Sequence, residues 1–231
     1  MDLRLAAWLL PGLVVGLTVH EFAHAFAAGL FGDCYSRRQG RVSLNPIRHL
    51  SALGTLAILF LPFGWAKPVP VNLYNFRHPR RDYLLTSLAG PAANAALIGL
   101  CLLLMQLTRR TYAFGQGAVG AAIGAHTFLT FVILINAILA TVNLIPIPPL
   151  DGSKIWPCLI PGLKPTFGRR SVWLFLGLLA VLAWTGRLEP LIRGVVVTVV
   201  RWTPDSDFER FEQHFADGLA AMSQDRFADA E

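Results

Sequence analysis

The chain is short of charge. Asp, Glu, Lys and Arg make up 15% of its 231 residues, against 54% that are hydrophobic. A mean hydropathy of +0.51 excludes an ordinary water-facing globular surface. Cysteine is also scarce. Cys34, Cys101 and Cys158 are widely spaced with no C-x-x-C, and an odd count of this kind argues against a disulfide framework or a thiolate metal cluster. Carboxylates are scarcer still in the middle of the chain: between Phe22 and Leu188 there are only Asp33, Asp82 and Asp151. No internal repeat, low-complexity tract or long polar insertion is present.

What is present is apolar residues in long runs, without helical or strand alternation, which is the pattern of membrane spans. The runs are Leu5–Phe31, Ser51–Trp65, Leu84–Leu107, Ala118–Ile147 (starting near His126), Val172–Thr185 and Leu188–Trp202. A crossing helix needs about 20 apolar residues, so the last two are marginal and Ser51–Trp65 is short. The first run lacks a cleavage site and carries His20, Glu21 and His24, so it reads as a retained span rather than a signal peptide.

The net charge of +6 and the pI near 9.7 do not point to nucleic acid, because the basic residues crowd into the loops between apolar runs. Twelve lie in 32–50, 66–83 and 151–171, against four, Arg4, Arg109, Arg110 and Arg187, on the opposite face. The positive-inside rule then favours a re-entrant Ser51–Trp65 and a cytoplasmic side for these loops. Residues 40–46 alternate like a strand, and 67–72 are held extended by Pro68 and Pro70. The expected fold is an all-α polytopic membrane protein. It has about five to six transmembrane helices, a re-entrant segment and short β-strands near the candidate site. Residues 1–203 form the membrane domain and 204–231 a cytoplasmic tail.

His20-Glu21-Phe22-Ala23-His24 is an H-E-x-x-H motif. On a helix, residues four apart share a face, so two imidazoles can hold one Zn²⁺ while the Glu reaches water beside it as general base. Three ionisable groups in an apolar span are costly, about 2.5–3.5 kcal/mol for a central charge, which favours a functional reading over an incidental one. Catalytic zinc takes three protein ligands. Asp33 lies at the expected end of the same helix and cannot turn back, and Asp82 sits among arginines as a solvated ion pair. Asp151 remains, where a span breaks up at Pro146, Pro148 and Pro149; the plain alternative is a cap or turn residue. His49 and His78 read as solvated, His126 as interfacial, and His214 as part of the tail.

His20–His24 together with Asn143-Leu144-Ile145-Pro146-Ile147-Pro148-Pro149-Leu150-Asp151-Gly152 resembles the site-2 proteases, the intramembrane metalloproteases. Gly90-Pro91-Ala92-Ala93-Asn94 and Gly64-Trp65-Ala66-Lys67-Pro68-Val69 look like two further segments of that family. The resemblance covers roughly residues 16–155. It implies that His20, His24 and Asp151 bind Zn²⁺, that Glu21 is the base, and that Asn94 and Asn143 line the site. A neutral amide there can donate to a developing oxyanion or pin the substrate backbone; Asn94 beside Gly90 could instead serve helix–helix hydrogen bonding.

The implied activity is zinc-dependent endopeptidase cleavage within or near transmembrane segments, as in regulated intramembrane proteolysis. The implied setting is a multi-pass protein of the cell membrane, with the site nearer the cytoplasm. The implied partners are a transmembrane protein or signal-peptide substrate and the lipid bilayer. The loop between the spans of Leu84 and His126 is too short for a PDZ domain, and the tail too short for a CBS pair. Two other readings are a metal-ion transporter, which would want more acidic or His residues on other spans, and an inactive relative acting as a membrane chaperone, which would not need Glu21.

Overall fold

Backbone N–H and C=O groups in lipid have no water to bond, so a long apolar run closes its hydrogen bonds within a helix. The computed structural model describes residues 3–51, 67–112 and 119–160, with isolated positions 162, 177, 181, 185, 186 and 194 beyond them. Three long helices dominate: α1 (Leu3–Leu30), α3 (Pro79–Tyr112) and α4 (Val119–Asn143). Two short ones, α2 (Tyr35–Arg38) and α5 (Gly152–Leu159), follow α1 and α4.

Among the described residues three helices are long and apolar enough to cross a membrane, within Leu10–Leu30, Pro79–Thr108 and Ala125–Asn143. These match the first, third and fourth apolar runs. The count of five to six is not reached among the described residues. The re-entrant segment and the last two runs fall largely or wholly outside them, and so does the tail.

Each long helix packs against the other two, and α5 packs on α3. Close approach is set by small residues, as membrane helix packing requires. A Cβ on Gly12 would lie 3.4 Å from Val132 Cα, and one on Gly16 would lie 3.0 Å from Asn136 Oδ1. These pairs advance together along both helices, so α4 runs parallel to α1. α3 runs antiparallel to α1, since His24 meets Thr86 and His20 meets Gly90. Polarity is inverted relative to a soluble bundle. Leu100, Leu103, Leu104 and Leu107 of α3 face outward, while Thr86, Ser87 and Asn94 of the same helix are buried.

The expected strands at 40–46 and 67–72 are corrected. Both run as irregular backbone, and Pro46–Arg48 and Leu73–Asn75 are 3-10 turns. The reason is that side chains take the places of ladder partners. Val69 N–H donates to Glu21 Oε2 at 3.0 Å and Asn72 N–H to Asp33 Oδ2 at 2.7 Å, while Lys67 N–H keeps a main-chain acceptor, the His49 carbonyl at 2.7 Å. Ser36 Oγ donates to the Pro70 carbonyl, and Arg41 reaches the carbonyls of Arg48 and Lys67. Pro68 and Pro70 have no N–H to give a ladder. The result is a strap, residues 67–75, lashed to the end of α1 and to α2.

Two residues read as solvated are buried instead. His49 is enclosed, with Nε2 donating to the Ser43 carbonyl at 2.6 Å. Asp82 is buried in the first turn of α3, accepting from His78 N–H at 2.8 Å and from the exposed Arg81 at 3.1 Å. A first-turn carboxylate satisfies a helix N-terminus, a demand that outranks solvation.

Asp33 carries most of the strap. Wholly buried, it also accepts from Tyr35 N–H at 3.1 Å and Asn75 Nδ2 at 2.8 Å. Asp33→Ala leaves three donors unmet and should cost on the order of 3 kcal/mol, read as a lower thermal midpoint in detergent. A midpoint equal to that of the unaltered protein would show that the strap does not depend on this carboxylate.

Candidate metal centre

The i, i+4 spacing on α1 puts His20 and His24 on one face, and both imidazoles are buried among α3 and the segment after α4. That segment unwinds at Asn143. Pro146, Pro148 and Pro149 cannot continue a helix, and the chain turns back through Ile147 N–H to the Ile145 carbonyl and Leu150 N–H to the Ile147 carbonyl. Gly152 then lies so close to the carbonyls of Leu144 and Ile145 that no Cβ would fit. This tight return delivers Asp151 to α1.

The convergence is close. Asp151 Oδ2 lies 3.0 Å from His20 Nε2 and 2.9 Å from His24 Nε2, and the two Nε2 atoms are 3.0 Å apart. His20, His24 and Asp151 are 4%, 6% and 3% exposed, so water does not separate them. His24 Nδ1 lies 2.7 Å from the Thr86 carbonyl. A carbonyl only accepts, so Nδ1 bears the proton and the Nε2 lone pair of the neutral ring faces the cluster. Lone pairs from three groups meeting at one point repel unless a cation or proton lies among them. Zinc bonds of 2.0–2.1 Å in a tetrahedral arrangement hold donors about 3.3 Å apart. The His₂Asp set fits such an ion with a small outward relaxation, and among the described residues these three form the group that could hold a metal.

Asp151 divides its two oxygens. Oδ2 faces the imidazoles, and Oδ1 accepts from Lys154 Nζ at 2.7 Å. Burial alone would raise the pKa of this carboxyl. The neighbouring imidazoles and the Lys154 cation outweigh burial and hold it well below the usual carboxylate range. Lys154 was not singled out in the sequence; its place three residues past Asp151, on the opening turn of α5, was the available signal.

Glu21, 9% exposed, accepts from Val69 N–H through Oε2, which ties its carboxylate to the strap. Asn94 is wholly buried on α3, one turn past Gly90, and neither its Oδ1 nor its Nδ2 has a partner among the described residues. Among those residues the helix–helix hydrogen bond is therefore not made. Asn143 spends its Nδ2 on the Leu139 carbonyl at 2.9 Å and makes no hydrogen bond to the cluster. The structure thus joins His20, His24 and Asp151 directly, sets Glu21 beside them in sequence, and leaves both asparagines outside that hydrogen-bonded group.

The model of peptidase family M50 matches residues 111–183. The protein named "Putative zinc metalloprotease YwhC" of Bacillus subtilis (strain 168) is 43% identical over 162 residues, 69% of this chain and 72% of the relative. "Putative zinc metalloprotease Rip2" of Mycolicibacterium smegmatis is 34% identical over 174 residues, 73% of this chain and 63% of the relative. Its namesake in Mycobacterium tuberculosis (strain H37Rv) is 33% identical over 205 residues, 85% of this chain and 73% of the relative. No solved structure matches the chain.

Gly90 makes the sharpest demand on this centre. A Cβ there would lie 2.6 Å from His20 Cε1 and 2.7 Å from His20 Nε2, and closer still to His24 Nε2. Gly90→Ala is expected to abolish high-affinity metal binding while leaving a helical, membrane-inserted protein. Metal content after dialysis against a weak chelator, measured beside circular dichroism, checks this; a full complement of metal would rule the crowding out.

Proposed function

This chain belongs to peptidase family M50, the site-2 protease family, and from that premise we propose that it is a zinc-dependent endopeptidase that cuts peptide bonds inside a lipid bilayer. One observation carries the reading: two imidazoles and a carboxylate from distant segments meet within 3.0 Å in a buried site. Support for the intramembrane setting comes from helices apolar enough to span and from the inversion of polarity along α3. The charge bias of the loops supports a site nearer the cytoplasm.

His20, His24 and Asp151 would hold zinc, which supplies Lewis acidity to the carbonyl and to water. Every other role falls to side chains and backbone of this chain. Thr86 fixes the His24 tautomer through its carbonyl. Lys154 holds the Oδ1 of Asp151, so that Oδ2 is the oxygen left for the metal. Glu21 takes the proton from the attacking water and later returns it to the leaving amine. The Val69 N–H holds one of its oxygens and so limits its rotation.

Asn94, with an unpaired buried amide, suits the oxyanion or the substrate backbone, since a preorganised donor costs no reorganisation as charge develops. Asn143 would need to release the Leu139 carbonyl to do the same. The substrate is a transmembrane segment or signal-peptide remnant. Such a substrate is helical in lipid, so its scissile amide must unwind before attack.

Reconstituted in liposomes with a single-pass helical substrate and zinc, the unaltered protein is expected to yield two fragments. Glu21→Gln, which keeps the shape and removes the base, should retain zinc and lose about 10²–10⁴-fold in rate. Equal product from both proteins would remove Glu21 from the reaction.

A further inference from the structure

Asp and Glu carboxylates bind metals through one oxygen or through both. At a zinc site the difference decides how much room is left. Catalytic zinc takes three protein ligands and keeps a fourth place for water or substrate. Two imidazoles and one carboxylate oxygen leave that place free. Two imidazoles and both oxygens supply four donor atoms by themselves.

In this chain the second oxygen is already engaged. Asp151 Oδ2 faces the Nε2 atoms of His20 and His24, and Oδ1 accepts from Lys154 Nζ at 2.7 Å. The pairing is specified by the main chain. Lys154 N–H and Ile155 N–H both donate to the Asp151 carbonyl, at 2.8 Å and 3.0 Å, and Ser153 Oγ donates to the Leu150 carbonyl at 2.7 Å. One helical turn therefore carries both the ligand and the cation that holds its outer oxygen.

The lysine is placed against its habit. Long Lys stems ordinarily carry the ammonium out to water. Here the side chain is 25% exposed and the ammonium turns inward, onto a buried carboxylate. A cation that merely offset charge could stand at a distance. A close contact to one oxygen also fixes the rotation of the carboxylate.

We propose that Lys154 is a positioning residue that limits Asp151 to a single metal bond and so keeps the fourth coordination place free. It acts through Asp151 rather than on the metal. The inference rests on the zinc reading given above and adds to it the reason the carboxylate does not close the site on itself.

X-ray absorption at the zinc edge, on the full zinc-loaded chain in detergent, tests this without reference to cleavage. The carboxyl carbon lies nearer the metal when both oxygens bind than when one does. The unaltered protein is expected to show the longer carbon distance. So is Lys154→Arg, which keeps a donor for Oδ1. Lys154→Met keeps a long stem and removes the donor; it should retain zinc and draw the carboxyl carbon inward. Lys154→Ala should do the same, and stands in for a methionine variant that fails to fold.

A longer carbon distance in the Met and Ala variants overturns the assignment. So does a shorter one in the Arg variant, which would show that a donor at this position does not set the binding mode. Zinc lost from both the Met and Ala variants would give Lys154 a part in building the site instead, and overturns it as well. A shorter distance in the unaltered chain overturns the role of Lys154 alone, whereas an unaltered chain that holds no zinc overturns the metalloprotease reading itself.

Discussion

One carboxylate oxygen facing two imidazoles organises this structure. Asp151 Oδ2 and the Nε2 atoms of His20 and His24 come together although 127 and 131 residues separate Asp151 from its partners. Such a meeting is unfavourable for bare groups, because each is stripped of water and their lone pairs repel. It survives only if the surroundings over-determine it. The surroundings do so through backbone: the Thr86 carbonyl turns one ring, the missing Cβ of Gly90 leaves room for both, and the missing Cβ of Gly152 lets the carboxylate return. Lys154 then balances the charge that burial would otherwise neutralise.

The rest of the bundle answers a different constraint. Lipid gives helices no hydrophobic reason to associate, so close packing and internal polar contacts must hold them together. Glycines at 12, 16 and 90 bring α1 against α4 and α3. Buried hydroxyls and amides line the inner faces, whereas leucines line the outer face of α3. At the end of α1 the solution changes. There the strap is fastened bond by bond to Asp33, Ser36, Arg41 and Glu21, so that a segment with little regular structure is nonetheless specified.

The parts legible in the sequence are those whose signal is local. The long apolar runs read correctly as α1, α3 and α4, and the H-E-x-x-H spacing gave the shared face of His20 and His24. Asp151 was reachable only because carboxylates are so rare in the middle of the chain. What escaped was set by partners far away in sequence. Residues 40–46 alternate like a strand and 67–72 are held extended by prolines, yet side chains capture their backbone groups. His49 and Asp82 look solvated beside arginines, yet both are enclosed. The Thr86 carbonyl and the Val69 N–H belong to the main chain, which carries no residue-type signature.

Gly90 gives the centre an unusual wall. Where most pockets are bounded by side chains that can change rotamer, this one is bounded on the α3 side by bare main chain. Such a wall has no adjustable part: its distance from the imidazoles is set by how far apart the two helices pack. The aperture of the centre is therefore a property of how α1 and α3 lean on one another, and a change in that lean reaches the donors directly, with no side chain between to absorb it.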